Sequence, residues 1–187
     1  MANTPYPPVG GMITFGKYEW LVLDINKGNA FIISKDILEL GQYHKEFAEV
    51  TWEQCTLRKY LNGRFLMTFA PNDRARIIET RVQNPHTPLS PQFTRLRIRQ
   101  TKDYIFLLSL DEVKRYFPTN EDRKADYNGA HHWWWLRSPG ENYRQAAFIK
   151  DLGYEGNYAD GAIGAHGKRV AQDGGGIRPV MWVKIGG

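Results

Sequence analysis

Apolar and polar positions alternate over residues 13–15 and 18–24, Ile-Thr-Phe and Tyr-Glu-Trp-Leu-Val-Leu-Asp. That is the period of strands with one buried face. Asn26-Lys27-Gly28-Asn29 supplies turn residues, and Ala30–Ser34 reads as the returning strand of an N-terminal hairpin. The period then lengthens. Leu57, Leu61 and Phe65 recur at helical spacing, as do Trp52, Thr56 and Tyr60, with Arg58 and Lys59 off the apolar face. Thr51 is the expected cap of this helix, with Gln54 completing a partial capping box, and Asn62-Gly63 the expected interruption. A second short helix is expected from Pro71-Asn72-Asp73 to near Ile78.

Periodicity fades over residues 80–101, where Pro85, Pro88 and Pro91 predict a long loop. Arg95, Arg97 and Arg99 alternate with Leu96 and Ile98 at its end, as on a charged edge strand. Tyr104–Leu108 reads as a buried strand. Ser109-Leu110-Asp111-Glu112 is a capping box, followed by apolar Val113, Tyr116 and Phe117, with Pro118 ending the helix. Residues 119–130 are polar and loop-like. A strand is expected near Gln145–Lys150, then loops over the Gly-, Asn- and Asp-rich stretch 151–176. The closing strand, Ile177 to Ile185, has Pro179 at its start, at an edge or in a bulge.

Composition adds bounds. The chain has 187 residues, 42% of them apolar and 13% aromatic, enough for a real core. Residues 1–10 read as a flexible segment and 11–187 as a single domain. Cys55 is the one cysteine, which excludes an intrachain disulfide. The start, Met-Ala-Asn-Thr-Pro-Tyr, lacks the pattern of a secretory signal, and no apolar run is long enough for a spanning helix. The expectation is a cytoplasmic protein without membrane insertion, with a phage particle or specialised export as alternatives. Of 18 glycines, 10 fall in the last 37 residues.

The formal charge is +5 and it is concentrated. Arg58, Lys59, Arg64, Arg74, Arg76, Arg81, Arg95, Arg97 and Arg99 face only Asp73 and Glu79 over residues 58–99. Such a cluster suits nucleic acid, an acidic partner, or a merely solvated face. No zinc finger or RNP-like pattern accompanies it.

Candidate chemistry is sparse. No dinucleotide fingerprint, P-loop, zincin or nucleophile-elbow motif occurs. His131 and His132 are adjacent and would point to opposite faces of a strand, so neither a metal nor a cofactor is expected. Calcium held by loop oxygens in 151–173 stays open. Cys55 reads as a buried thiol, with His44 a base only by default. Alternation sends Trp134 one way and Trp133 and Trp135 the other, so two rings build core and one stacks on a ligand. Arg137 and Arg178, as planar donors, read as braces of loops.

Two segments carry a family resemblance: Trp134-Trp135-Leu136-Arg137-Ser138-Pro139-Gly140, and Gly175-Gly176-Ile177-Arg178-Pro179-Val180-Met181-Trp182-Val183. Together with Phe15-Gly16-Lys17-Tyr18-Glu19-Trp20, Thr51-Trp52, Leu57–Asn62 and Ile105–Leu110, they make the chain resemble the bacterial and phage domain family of unknown function numbered 6273. The resemblance runs from about residue 11 to 185.

It implies an α+β fold of the C-type-lectin-like kind, shared with formylglycine-generating enzymes, carrying irregular Gly-rich C-terminal loops. It also implies likeness to the variable proteins of diversity-generating retroelements, whose C-terminal segments are diversified at adenine-containing codons. On that reading the ligand-facing residues are His132, Trp134, Asn142, Tyr143, Arg144, Tyr154, Asn157, Tyr158, Asp160 and His166, while Trp133, Trp135, Arg137, Arg178 and Trp182 hold the frame. Tyr supplies contact area and Asn, Asp and Gly adapt hydrogen bonds. The expected function is non-catalytic binding of a protein or cell-surface target. Nucleic-acid or acidic-partner binding through residues 58–99 and a cryptic enzyme are the alternatives. With Cys55 alone, the cysteine-dependent oxygen chemistry of the enzymes sharing the fold is not expected.

Overall fold

The computed structural model describes residues 7–84, 99–152 and 159–185. Strands β1 (Met12–Phe15), β2 (Tyr18–Asn26) and β3 (Asn29–Ser34) form the N-terminal meander that the alternation predicts. The preceding segment ends against it, Gly10 N–H donating to Val22 O at 2.8 Å. The chain then leaves this sheet, and β4 (Glu39–Gly41) pairs in a second one.

The helical run starts later than Thr51. Thr51 O accepts from the N–H groups of Gln54 and Cys55, forming a turn. Cys55 Sγ then accepts from Arg58 N and caps α1 (Thr56–Tyr60). Asn62-Gly63 does not stop the run. It widens into a π-type turn over Leu61–Phe65 and tightens over Leu66–Thr68. Leu57, Leu61 and Phe65 are all buried, as their spacing requires. Helix α2 (Pro71–Arg74) ends short of Ile78, because Ile77 and Ile78 become β5 (Ile77–Ile78).

The expected loop over 80–101 begins and ends as a hairpin, β6 (Thr80–Asn84) with β7 (Arg99–Asp103). Pro85, Pro88, Pro91, Arg95 and Arg97 lie outside the described residues. The hairpin is anchored by Asp103, which is wholly buried and accepts from Trp52 Nε1, Arg58 Nε and Thr101 Oγ at 2.9, 2.6 and 2.7 Å.

Of the expected buried strand Tyr104–Leu108, Tyr104 is exposed, and residues 105–108 are buried but make one bridge, Phe106 to Val180, rather than a strand. Side chains take the neighbouring backbone groups. Asn62 Oδ1 accepts from Tyr104 N and Ile105 N, Asn62 Nδ2 donates to Ile105 O, and Arg137 Nη1 donates to Leu107 O. Helix α3 (Leu110–Tyr116) carries the predicted Ser109–Glu112 capping box. The expected loop after it holds a second box, Thr119 with Asp122, starting α4 (Asn120–Arg123). A small hairpin follows, β8 (Asp126–Tyr127) with β9 (Ala130–His131).

The last third is more regular than its glycines suggest. It contains β10 (Trp134–Pro139), β11 (Gln145–Ile149), β12 (Ile163–Arg169), β13 (Gly175–Ile177) and β14 (Val180–Lys184). The sheet orders are β1-β2-β3-β14-β5 and β12-β11-β10-β13-β4, antiparallel except where β10 meets β13. Arg178-Pro179 crosses between them, and Pro179 sits just before β14, where no ladder donor is needed. Gly175 passes so close to the Trp135 indole that an added Cβ would collide with the ring at its Nε1 edge. The architecture is a mixed α+β fold with one continuous core. Among the described residues, no helix is long and apolar enough to cross a membrane.

Candidate functional site

The two motif arginines are interior braces. Arg137 is buried and donates to Leu107 O at 2.7 Å, to Gln83 O at 2.9 Å and to both oxygens of Glu112. Arg178 is buried between the rings of Trp134 and Phe117, 5.1 and 5.2 Å from their centroids. It donates to Ser34 O and Lys35 O at 3.0 Å, tying the two sheet crossings together. Burial pulls its pKa down to about 10.

The tryptophans alternate as strand geometry dictates. Trp134 turns to Arg178 and donates Nε1–H to Arg123 O at 2.9 Å. It is fully buried, which corrects its assignment to a ligand-facing surface. Trp135 donates to Gly41 O, and Trp133 meets it edge-on at 4.8 Å. Trp182 on β14 is half-buried and stacked on Phe31 at 5.1 Å.

Two further residues expected to face ligand turn inward. Asp160 is 8% exposed and pairs with Lys124 Nζ at 3.6 Å. His132 is half-buried, and its Nε2 hydrogen-bonds Gly174 O at 2.7 Å. Tyr154, Asn157 and Tyr158 lie outside the described residues. His166 is exposed on β12, edge-on to Phe148.

Asn142, Tyr143 and Arg144 do come together, in the turn between β10 and β11. The turn is held through its main chain. Tyr143 O accepts from Val50 N, Arg144 O from Val170 N, and Glu141 N donates to His166 O. Asn142 Oδ1 accepts from Arg144 N at 2.9 Å, closing an Asx turn. Arg144 therefore projects from a fixed frame that the exposed Asn142 helps to close, while Tyr143 is half-buried.

Beside this turn stands Phe47, 55% exposed. Its ring lies 5.8 Å from the Arg144 guanidinium and 5.5 Å from that of Arg169. Glu49 Oε1 is 3.8 Å from Arg144 Nε. A depression of about 360 Å³ opens here, lined by Phe47, Arg169, Ala171, Gln172 and Asp173. Phe47 and Arg169 escaped the sequence reading. The available signal was a lone phenylalanine in the charged run Lys45-Glu46-Phe47-Ala48-Glu49.

Two cations of the basic run are committed to partners within the fold. Arg58 is committed to Asp103, Glu53 O and Lys102 O, and Arg76 to Lys184 O and Asp73. Lys59, Arg64 and Arg81 are exposed, Arg74 is half-buried, and Arg99 lies in β7.

Burial pushes the Cys55 thiol up to about 12. His44 accepts from Thr56 N through Nδ1, and burial lowers its pKa. Among the described residues, no group of three or more His, Cys, Asp or Glu side chains is placed to hold a metal ion. No curated protein and no solved structure matches the chain. Residues 27–185 match the family described as a domain of unknown function, DUF6273, and the chain belongs to that family.

Proposed function

We propose that the chain is a non-catalytic binding module for a protein or cell-surface target. Its scaffold is of the C-type-lectin-like kind, and its target face is the turn after β10 together with the 45–49 loop. One observation carries the reading: Phe47 stands more than half exposed between Arg144 and Arg169. Aromatic and arginine side chains are the groups enriched where interfaces concentrate binding energy. The exposed positions Asn142 and Arg144 lie on a turn fixed by main-chain bonds. The Arg144 side chain can change without moving that frame, and Asn142 can change where the new side chain keeps the oxygen that accepts from Arg144 N, which suits a retroelement variable protein.

The test is flow cytometry of labelled protein on a panel of intact bacterial cells. At least one cell type is expected to bind, about tenfold more weakly after Phe47→Asp or Arg144→Glu, a loss near 1.4 kcal/mol. Binding should be unchanged after Arg64→Ala. Absence of binding across the panel, or equal binding by the Phe47 and Arg144 variants, overturns the proposal. Diversification is tested separately in the flanking DNA. A near-identical copy of the codons for residues 130–178, differing at adenines and beside a reverse-transcriptase gene, is expected.

A further inference from the structure

A depression of about 300 Å³ lies between α3 and β6, with Phe31 and Phe106 at its floor and Tyr116 and Trp182 at its sides. Its remaining wall is unusual. Thr80, Arg81, Val82 and Gln83, four consecutive residues of β6, all line it. Successive strand side chains point to opposite faces, so consecutive residues can border one space only along the strand's edge.

That edge is the one β7 leaves open. Gln83 O accepts from Arg137 Nη2 at 2.9 Å, so the Gln83 main chain faces away from β7. Arg81, two residues earlier, faces the same way in an antiparallel ladder, with both its N–H and its C=O. The cause is a divergence. β14 pairs with β5 at Ile77 and Ile78, but at Val180 it bridges Phe106 instead of continuing onto β6. The chain past Glu79 therefore leaves the sheet with an edge that is open in part: Arg137 occupies Gln83 O, while Arg81 N–H, Arg81 C=O and Gln83 N–H have no partner among the described residues.

An edge open at the Arg81 main chain and the Gln83 N–H, beside a pocket, suits strand addition. Main-chain bonds give affinity and a side-chain pocket gives selectivity. The charge left unpaired at this site among the described residues is positive. Glu112 is neutralised by Arg137, and Lys102, opposite Arg81 on β7, has Glu79 at 3.6 Å. The exposed Arg81 makes no ion pair among the described residues.

We propose that β6 is a second docking site, which takes an extended acidic segment of a partner protein as an added strand. An aromatic or aliphatic side chain of that segment rests on Trp182 and Tyr116, and its acidic residues face Arg81. The site is independent of the Phe47 face.

The full chain is panned against a phage library of random linear peptides, and the enriched peptides are synthesised. Enrichment of acidic sequences with one apolar anchor is expected. In amide NMR spectra, the Arg81 and Gln83 signals shift and gain exchange protection on peptide binding, while Val82 is already protected by its bond to β7. Arg81→Pro removes an outward donor without touching the bonds to β7 and weakens binding about tenfold. Arg81→Ala keeps the donor, costs about threefold and lowers the salt dependence. Phe47→Asp leaves peptide affinity unchanged. Failure to enrich any peptide, or enriched peptides that bind without perturbing the Arg81 and Gln83 amides, overturns the proposal.

Discussion

Arg137 on β10 and Glu112 on α3 form a two-pronged ion pair, Nη2 donating to Oε1 at 2.8 Å and Nη1 to Oε2. The arginine side chain is 2% exposed and the glutamate 31%, so the pair lies at the base of the β6 groove with its cation dry. Removing the carboxylate leaves that cation with carbonyl partners only. Glu112→Ala is expected to cost about 2–4 kcal/mol, somewhat below a fully buried pair because Glu112 reaches solvent. Arg137→Lys should cost a comparable amount, since an ammonium cannot serve the carboxylate, Leu107 O and Gln83 O together. Urea unfolding measures both, and an unshifted midpoint for either variant contradicts the assignment.

Gly175 and Trp135 make a complementary prediction about the second sheet. Trp135 Nε1 donates to Gly41 O at 2.9 Å and thereby holds the indole across the Gly175 backbone. Gly175→Ala forces a methyl against the Nε1 edge of the ring and should cost about 1–3 kcal/mol of overpacking. The same change should alter the near-ultraviolet dichroism of the tryptophans. A variant with wild-type unfolding and an identical aromatic spectrum would show that β13 yields easily.

The elements most legible in the sequence are those whose order is local. The β2–β3 hairpin and the Ser109–Glu112 box follow from alternation and from spacing of three residues. What could not be read depends on partners far along the chain. Residues 105–108 have the composition of a strand, yet Asn62 and Arg137 occupy their backbone groups from 43 and 30 positions away. β13 is hidden in a glycine run because its small residues are selected by the Trp135 ring, not by strand propensity. The same holds for the site. Asn142 and Arg144 were visible as polar residues in a turn. Phe47 becomes a candidate only when main-chain bonds from Val50 and Val170 bring its loop to that turn.

Cys55 should be chemically silent in the native protein. The thiol is wholly buried, caps α1 and donates to Trp52 O at 3.4 Å. Burial raises its pKa from 9.0 to about 12. A thiol reagent at pH 8 should react only after unfolding. The raised value means that the folded state favours the protonated thiol. Its contribution is therefore complete below about pH 9 and is lost as pH rises from there through about 12. Between those limits, wild type should lose stability more steeply than Cys55→Ala. Rapid native labelling, or parallel pH profiles, would contradict the buried, protonated state.

Arg144 and Gly140 sit four residues apart in one connection, yet they should respond oppositely to substitution. Arg144 is exposed, and its ion pair with Glu49 at 3.8 Å is long and solvated. Arg144→Ser should change stability by no more than about 0.5 kcal/mol. Asn142→Asp keeps the oxygen that accepts from Arg144 N and should be equally mild. At Gly140 an added Cβ meets the main chain of Gly167 at 2.8 Å and Gln145 Cβ at 2.9 Å, so Gly140→Ala should cost about 1–3 kcal/mol. A display library covering residues 140–144, sorted for folded protein, reads all of these at once. Broad tolerance at 144, preference at 142 for side chains that keep the accepting oxygen, and intolerance at 140 are what a surface built for variation on a fixed frame requires. Uniform intolerance across the turn would mean that Asn142 and Arg144 serve the fold, and the binding face would have to be sought elsewhere.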